Sequence, residues 1–176
     1  MYDNLDDNTS DYIGILDRRN YNKNWDRIIR IAIRGIIVLN GKIALIHSGK
    51  HGDYKFPGGG MEEGESREET LIREVLEETG LKVIPESIKY YGKFKEIKKD
   101  KDHNKIFEQL SYYYYCGIFQ EEGERNLDEY EEEEEYELKW ITLEEAIENN
   151  TIINHSELMP WIYRDTLVMD RLIEEI

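Results

Sequence analysis

The chain has little cysteine, no long apolar stretch and too few positive charges to balance its negative ones. Cys116 is the one cysteine among 176 residues, so no disulfide can form within the chain and no thiolate zinc cluster can be built. The longest apolar run, residues 36–39, is far below the roughly 20 residues that span a membrane. The N-terminus is acidic and lacks an apolar core, which argues against a signal peptide. We therefore expect a cytoplasmic protein in a reducing compartment, with no membrane partner.

Positive charge is scarce, because 23 Lys and Arg residues face 39 Asp and Glu residues and the net charge is −16. Proteins that bind nucleic-acid polymers need clustered cations, so a polymer partner is not expected. A small anionic substrate remains compatible with this charge, since a bound divalent cation can reverse the local field. The negative charge is also concentrated. Residues 60–78 carry −6 and residues 128–137 carry −8.

The remaining composition suits one folded domain. Apolar residues make up 39% of the chain, and strand-like segments are mixed with a few helical ones, which predicts a single α/β domain. We predict a loosely structured arm over residues 1–26, with a short turn near residues 13–16, and a domain over 27–176. Within the domain we predict strands at 30–39, 42–47, 54–56, 88–98, 106–119 and 138–141, and helices at 66–79, 142–149 and 157–176.

The helix predicted at 66–79 has clear start and stop signals. Ser66 and Glu69 form the S-x-x-E capping box, and Gly80 suits the left-handed residue that often follows a helix. Because a helix turns about 100° per residue, one face carries three carboxylates and the opposite face is apolar. The carboxylates are those of Glu74, Glu77 and Glu78, and the apolar residues are Leu71, Ile72, Val75 and Leu76.

Three carboxylates on one face work against an isolated helix. Like charges at i and i+4 repel, and the helix dipole disfavours anions near the C-terminus. One interpretation is a metal site, because clustered carboxylate oxygens suit a hard cation such as Mg²⁺. The alternative interpretation is an ordinary acidic helix face exposed to solvent. Arg73 can pair with Glu69 or Glu77 and hold this face in shape. The glycine run at 58–60 permits a tight turn, where a main-chain carbonyl could supply another ligand.

The spacing of these residues resembles the Nudix box, G-x5-E-x7-R-E-U-x-E-E-x-G-U, in which U is a bulky aliphatic residue. All nine defined positions are filled, by Gly59, Glu65, Arg73, Glu74, Val75, Glu77, Glu78, Gly80 and Leu81. Weaker resemblance extends from about Arg30 to the predicted helix at 142–149, roughly two thirds of the chain. The resemblance implies an α/β/α sandwich around a mixed β-sheet. It also implies hydrolysis that depends on Mg²⁺ or Mn²⁺.

Residue by residue, the resemblance implies that three box glutamates and a glycine carbonyl bind metal, these being Glu74, Glu77, Glu78 and Gly58 or Gly59. It implies that Arg73 and Glu65 orient this set and that one glutamate is the general base, for which we choose Glu74. Some family members use a downstream glutamate instead. Glu133, Glu134 and Glu135 sit where that residue often lies, and we take Glu134, although the run of five glutamates at 131–135 permits no finer choice.

Candidate substrate contacts lie outside the helix. Arg34 is within a predicted strand and could meet a phosphate, although an ion pair at a sheet edge explains it equally well. Lys50, between His47 and His51 in a polar loop, could do the same or simply be solvated. We include Gly59 and Gly60 with these contacts. The tyrosines at 112–115 are expected mainly in the sheet, and Cys116 is expected to be a small buried residue.

The resemblance implies an enzyme that cleaves a phosphoanhydride bond in a nucleoside diphosphate linked to another group, by attack of water on phosphorus. The alternative is a non-catalytic Nudix-like module that binds a nucleotide and regulates a partner. Such modules usually lose a box glutamate, and none is lost here. Residues that mark some ADP-ribose and diadenosine polyphosphate hydrolases past the box are absent, since Ile97, Lys98 and Lys99 occupy that region. Nucleoside triphosphates, including oxidised ones, remain open. The sequence does not indicate an oligomeric state.

Overall fold

A computed structural model describes residues 9–153 and 159–175, and these contain ten strands and four α-helices. In chain order the elements are β1 (Tyr12–Asp17), β2 (Arg27–Ile36), β3 (Val38–Leu39), β4 (Lys42–Ser48), β5 (Tyr54–Lys55), α1 (Arg67–Thr79), β6 (Leu81–Val83), β7 (Lys89–Lys99), β8 (Ile106–Tyr115), β9 (Ile118–Glu122), α2 (Glu129–Glu133), β10 (Tyr136–Ile141), α3 (Leu143–Ile153) and α4 (Pro160–Leu172).

A four-stranded mixed sheet forms the centre of the fold, with the strand order β1-β7-β8-β2. β7 and β8 pair antiparallel, whereas β1 pairs parallel with β7 and β2 pairs parallel with β8. β2 and β8 run side by side in unbroken register, from Arg27 opposite Ile106 to Ile36 opposite Tyr115. This register aligns the pocket-facing residues of the two strands.

The N-terminal segment contains a strand, where the sequence predicted a loose arm with a turn near residues 13–16. Tyr12–Asp17 forms β1, and Gly14 lies so close to the Phe94 ring that a Cβ there would be 2.6 Å from a ring carbon. Strand propensity was too weak to indicate this element, because its stability comes from the exposed edge of β7. Whether the domain boundary lies at residue 26 stays a prediction.

A second sheet has the order β10-β4-β3, and β5 pairs with β4 off this path. The Asn40-Gly41 turn before β4 has φ values of 53° and 75°, the left-handed pair that a two-residue hairpin turn requires.

A third pairing joins β6 to β9. The predicted strand 106–119 is therefore wrong in one respect. It breaks after Tyr115 because Cys116 donates its N–H to Ile36 and the chain then turns to reach β6.

Apolar residues of the central sheet pack on both of its faces. Ile33 of β2, and Ile37 just after this strand, share one buried cluster with Leu71 and Val75 of α1. Ile36, on the opposite face of the same strand, joins a second cluster that includes Val168, Met169 and Leu172 of α4. Helices therefore cover both faces of the sheet, and the expected α/β/α arrangement with a mixed sheet is confirmed.

The helices predicted near the C-terminus are observed with shifted bounds. Thr142 and Glu145 cap each other at the start of α3, which continues to Ile153. The last helix begins at Pro160, and the first residues of its predicted range lie outside the described part of the chain. Cys116 is buried and unpaired, as expected. Among the described residues, no helix is long and apolar enough to cross a membrane.

Candidate active site

The glycine run lies along the edge of β2 and is held there by backbone hydrogen bonds. The N–H of Ile33 donates to the carbonyl of Gly59 at 2.9 Å, and the N–H of Met61 donates to the carbonyl of Ile31 at 3.0 Å. The run therefore extends the central sheet by a few residues before α1 begins. These bonds bring the glycine run next to Arg30 and Arg34 of β2.

Two of these glycines have no space for a side chain. Gly58 has a φ of 135°, a conformation that L-residues rarely adopt, and a Cβ there would collide with the carbonyl of Ile33. Gly59 faces the carboxylate of Glu74, so that a Cβ at this position would overlap both carboxylate oxygens. The bare backbone at 58–59 is thus what lets the helix carboxylates approach the loop.

α1 has the bounds that the sequence predicted. Ser66 and Glu69 form the reciprocal capping box, and Gly80 closes the helix with a φ of 76°. The predicted core face is buried at Leu71 and Val75. The opposite face is not a solvated acidic face, because Glu74 is only 8% exposed and Glu78 only 2% exposed.

Three carboxylates converge at this point. Single oxygens of Glu74, Glu78 and Glu131 lie within 4.8 Å of one another, the first two from α1 and the third from α2. Buried carboxylates this close repel each other unless a cation lies between them. Hard oxygen donors in this number match the ligands that Mg²⁺ and Mn²⁺ prefer, so the residues present fit such an ion.

Burial also shifts the acidity of the cluster. Desolvation raises the pKa of Glu78 to about 7, against the opposing pull of Lys55 and Arg34. Desolvation likewise raises the pKa of Glu74, although a hydrogen bond from Arg73 lowers it in part. Gly58 donates its N–H to Oε2 of Glu78 at 2.7 Å, which fixes this carboxylate against the glycine run.

Arg73 connects the loop to the helix face. Its Nε and Nη2 donate to the two oxygens of Glu65, at 2.6 and 2.9 Å. Its Nη1 donates to Glu74 at 2.8 Å and to Glu77 at 3.1 Å, and Nη2 also reaches the carbonyl of Gly60 at 3.2 Å. Of the two partners proposed from the sequence, Glu77 is observed and Glu69 instead caps the helix.

Glu77 and Glu134 differ in position from the three clustered glutamates. The Glu77 side chain is 34% exposed and is held by Arg73. The Glu134 carboxylate is buried but pairs with Lys50 at 2.8 Å and with His51 at 2.9 Å. Glu131, rather than Glu134, is the member of the acidic run that reaches Glu74 and Glu78.

A further capping-box pattern in the sequence indicates where Glu131 lies. Asp128-x-x-Glu131 is a capping box, and the structure shows both of its hydrogen bonds at the start of α2. Recognising this short helix would have placed Glu131 in its first turn. The position of Lys50 is also now explained, since its ammonium group pairs with Glu134.

A cavity of about 300 Å³ opens beside the carboxylate cluster. The three clustered glutamates and the glycine run line one side, and residues of the central sheet and α4 line the other. Its basic residues are Arg30, Arg34, Lys55, Lys98 and Arg164, and its aromatic residues are Phe107, Tyr130, Tyr136 and Trp161. None of the four consecutive tyrosines at 112–115 is part of this lining. Arg30 and Lys55 were not identified from the sequence.

Comparison with known proteins agrees with this geometry. The model of the NUDIX domain family matches residues 29–162, which is more than half of the chain. The chain therefore belongs to the NUDIX domain family, and the relatives that it matches include proteins named as Nudix hydrolases.

Individual relatives match over shorter stretches. The uncharacterized Nudix hydrolase YvcI of Bacillus subtilis (strain 168) is 40% identical over 68 residues, which are 39% of this chain and 42% of that protein. The putative 8-oxo-dGTP diphosphatase YtkD of the same strain is 50% identical over 48 residues, 27% of this chain and 29% of that protein. The matched regions thus cover less than half the length of each relative. A NUDIX hydrolase from Nitrosomonas europaea has the same fold, with a TM-score of 0.56 at 19% identity over 78% of this chain and 88% of that one.

Proposed function

We propose that this protein is a Mg²⁺- or Mn²⁺-dependent pyrophosphohydrolase. Its substrate would be a small nucleotide-type molecule, a nucleoside diphosphate linked to another group, cleaved at a phosphoanhydride bond by water. The observation that carries this proposal is the convergence of oxygens from Glu74, Glu78 and Glu131 within 4.8 Å beside a cavity of about 300 Å³. The relative YtkD, named a putative 8-oxo-dGTP diphosphatase, supports a nucleotide substrate.

The proposed metal ligands are the three clustered carboxylates together with a carbonyl of the glycine run. Both candidate carbonyls already accept one hydrogen bond, Gly58 from Arg34 and Gly59 from Ile33, and each keeps a second lone pair. Glu77 stays a predicted ligand at the rim of the cluster. A bound ion would supply positive charge that neutralises phosphate oxygens and makes water easier to deprotonate.

The chain's own residues would then carry the remaining steps. Glu74 is the proposed general base, since burial raises its pKa above the usual carboxylate value and so makes it a stronger base. Arg73 holds the Glu74 oxygen Oε1, which leaves Oε2, beside Gly59, to accept a proton from water. The water oxygen bonds to phosphorus as the bond from phosphorus to the bridging oxygen breaks. Glu65 would keep Arg73 in this orientation.

The test combines turnover with metal binding. Wild type should release nucleotide products from a panel of nucleoside triphosphates, ADP-ribose and diadenosine polyphosphates in the presence of Mg²⁺. Glu78→Gln and Glu77→Gln should reduce turnover at least about 100-fold, as expected when charge stabilisation in the transition state is removed. Mn²⁺ binding to the metal-free protein, followed by electron paramagnetic resonance, should weaken in Glu78→Gln while the circular dichroism spectrum is unchanged.

Two results would contradict the proposal in different ways. Nucleotide binding without turnover of any substrate would favour a non-catalytic regulatory module. Absence of Mn²⁺ binding in a folded protein would remove the metal site. A cytoplasmic location, and partners limited to small nucleotide-type molecules, stay predictions from the composition of the chain.

A further inference from the structure

Two arginines of β2 line the cavity. Arg30 and Arg34 are four residues apart on a strand, so their side chains point to the same side of the sheet. Among the residues that the structure describes, neither forms an ion pair. Arg30 makes a long hydrogen bond of 3.4 Å to the side chain of Gln109, and Arg34 donates to the carbonyl of Gly58.

Arg34 is unusual because it is almost fully buried. It is 7% exposed, and its Nε is inaccessible to solvent and has no hydrogen-bond partner. Arg34 makes no direct ion pair to a described residue, although its charge acts to lower the pKa of Glu74 and of Glu78. Once a cation occupies those two carboxylates, the buried guanidinium needs another source of negative charge.

The other cations of the cavity are already paired. Lys55 lies 3.8 Å from Glu78, Lys98 lies 2.7 Å from Glu96, and Arg164 lies 2.9 Å from Asp165. Among the described residues, Arg30 and Arg34 are therefore the cations of the cavity that have no ion pair. A divalent cation bound by the three carboxylates would offset two of their three charges and leave the two arginines available to other anions.

The two guanidinium groups lie along the glycine run next to the carboxylate cluster. Arg34 donates a hydrogen bond to the carbonyl of Gly58. The N–H of Gly58 in turn donates to the carboxylate of Glu78. The Nε and Nη2 of Arg30 would be 3.5 Å from a Cβ on Gly60. A phosphate chain that starts at the carboxylate cluster and follows residues 58–60 would therefore pass both arginines.

We infer that Arg30 and Arg34 bind substrate phosphate charge that the metal does not neutralise, and that the preferred substrates are nucleoside triphosphates. This inference rests on the proposed function. A pyrophosphate substituted at both ends has one ionised oxygen per phosphate and carries about two negative charges. A triphosphate has an added terminal phosphate with a second pKa near 6, and it carries nearly four charges. The two additional charges of the triphosphate match two arginine forks, the side chain best suited to phosphate oxygens.

The kinetic test compares triphosphates with doubly substituted pyrophosphates. With Mg²⁺, kcat/KM for ATP and dGTP should exceed that for ADP-ribose at least about tenfold. Arg30→Gln should lower kcat/KM for the triphosphates about 10- to 100-fold, mainly through KM, because it removes a charge-assisted contact. The same variant should change ADP-ribose hydrolysis less than about threefold. Arg30→Lys, which keeps the charge but not the fork, should recover part of the loss.

A matched control lies on the same strand. Arg27 points to the opposite side of β2, is about half exposed and pairs with Glu108, so that Arg27→Gln should leave the substrate preference unchanged. Arg30 is itself an exposed residue, so its replacement is not expected to unfold the protein. Thermal unfolding of both variants would verify this.

A binding measurement makes the inference independent of turnover. In calorimetry with Mg²⁺, wild type should bind the inert α,β-methylene-ATP at least about tenfold more tightly than α,β-methylene-ADP, and Arg30→Gln should remove most of this difference. Preference for ADP-ribose, or an equal loss for both substrate classes in Arg30→Gln, would overturn the inference while the proposed function stands. If no substrate is turned over, the proposed function fails, and the calorimetric comparison still decides whether the arginines select the third phosphate.

Discussion

The guanidinium of Arg73 and the carboxylate of Glu65 meet fork to fork, with Nε to Oε1 at 2.6 Å and Nη2 to Oε2 at 2.9 Å. The same arginine uses Nη1 to hold Glu74 and Glu77. One side chain therefore ties the loop before α1 to the acidic face of that helix. Paired contacts of this kind restrict orientation more than a single bond does.

Glu65→Gln should destabilise the protein in a pH-dependent manner. Arg73 lowers the pKa of Glu65 to about 2, below its usual value of 4.5, so the stabilisation is complete above about pH 4.5 and is lost as the pH falls toward 2. After allowance for solvent screening, we expect a loss of about 2 kcal/mol at pH 7. Urea denaturation at pH 7 and pH 3.5 would measure it. The exposed Glu63→Gln serves as the control, and a wild-type-to-variant difference that is equal at both pH values would contradict the prediction.

Glu131→Gln should weaken Mn²⁺ binding to the metal-free protein by at least about tenfold, because it removes one of the three converging carboxylates. Glu134→Gln should change Mn²⁺ affinity by less than about threefold, since the Glu134 carboxylate is engaged with Lys50 and His51. Titration followed by electron paramagnetic resonance would distinguish the two. The reverse order of effects would restore Glu134 as the downstream ligand.

Gly59→Ala should reduce turnover strongly while the protein stays folded. The added methyl group would overlap the carboxylate of Glu74 and push it away from Glu78 and Glu131. Gly60→Ala is the comparison, because its methyl group would meet only the flexible Arg30 side chain at 3.5 Å, and a smaller effect is expected. Steady-state kinetics and circular dichroism of both variants would measure this. Equal losses in the two variants would argue against close packing of Glu74 as the cause.

Deletion of residues 1–26 should destabilise the fold without abolishing the metal site. The deletion removes β1, uncovers Phe94 and leaves buried Lys93 without its ion pair to Asp11 at 3.2 Å. We expect a loss of at least about 2 kcal/mol in unfolding free energy, with Mn²⁺ affinity retained within about threefold. Chemical denaturation would show whether this segment is an integral strand of the central sheet or a separate arm. Unchanged stability would support the separate arm that the sequence predicted.

Local signals predicted most of the elements well. The capping boxes at Ser66 and Thr142 and the hairpin turn at Asn40-Gly41 depend on neighbouring residues, and the structure shows all three. β1 was not predicted, because its stability comes from pairing with β7, a strand about 80 residues away. The break between β8 and β9 was missed for a similar reason, since Gly117 is held by a hydrogen bond from the distant Ile84.

By itself, the sequence determined the family pattern, the bounds of α1 and the presence of carboxylates that work against an isolated helix. These features depend on residues that are close in sequence, and the regular geometry of a helix determines which of their side chains share a face. Only the tertiary structure decided that Glu131 joins Glu74 and Glu78, and that Arg30 and Arg34 line the same cavity without an ion pair to any residue that it describes. The side chains that meet there come from β2, α1 and α2. Packing of the sheet and helices, rather than sequence spacing, sets the distances and burial on which the charge balance depends.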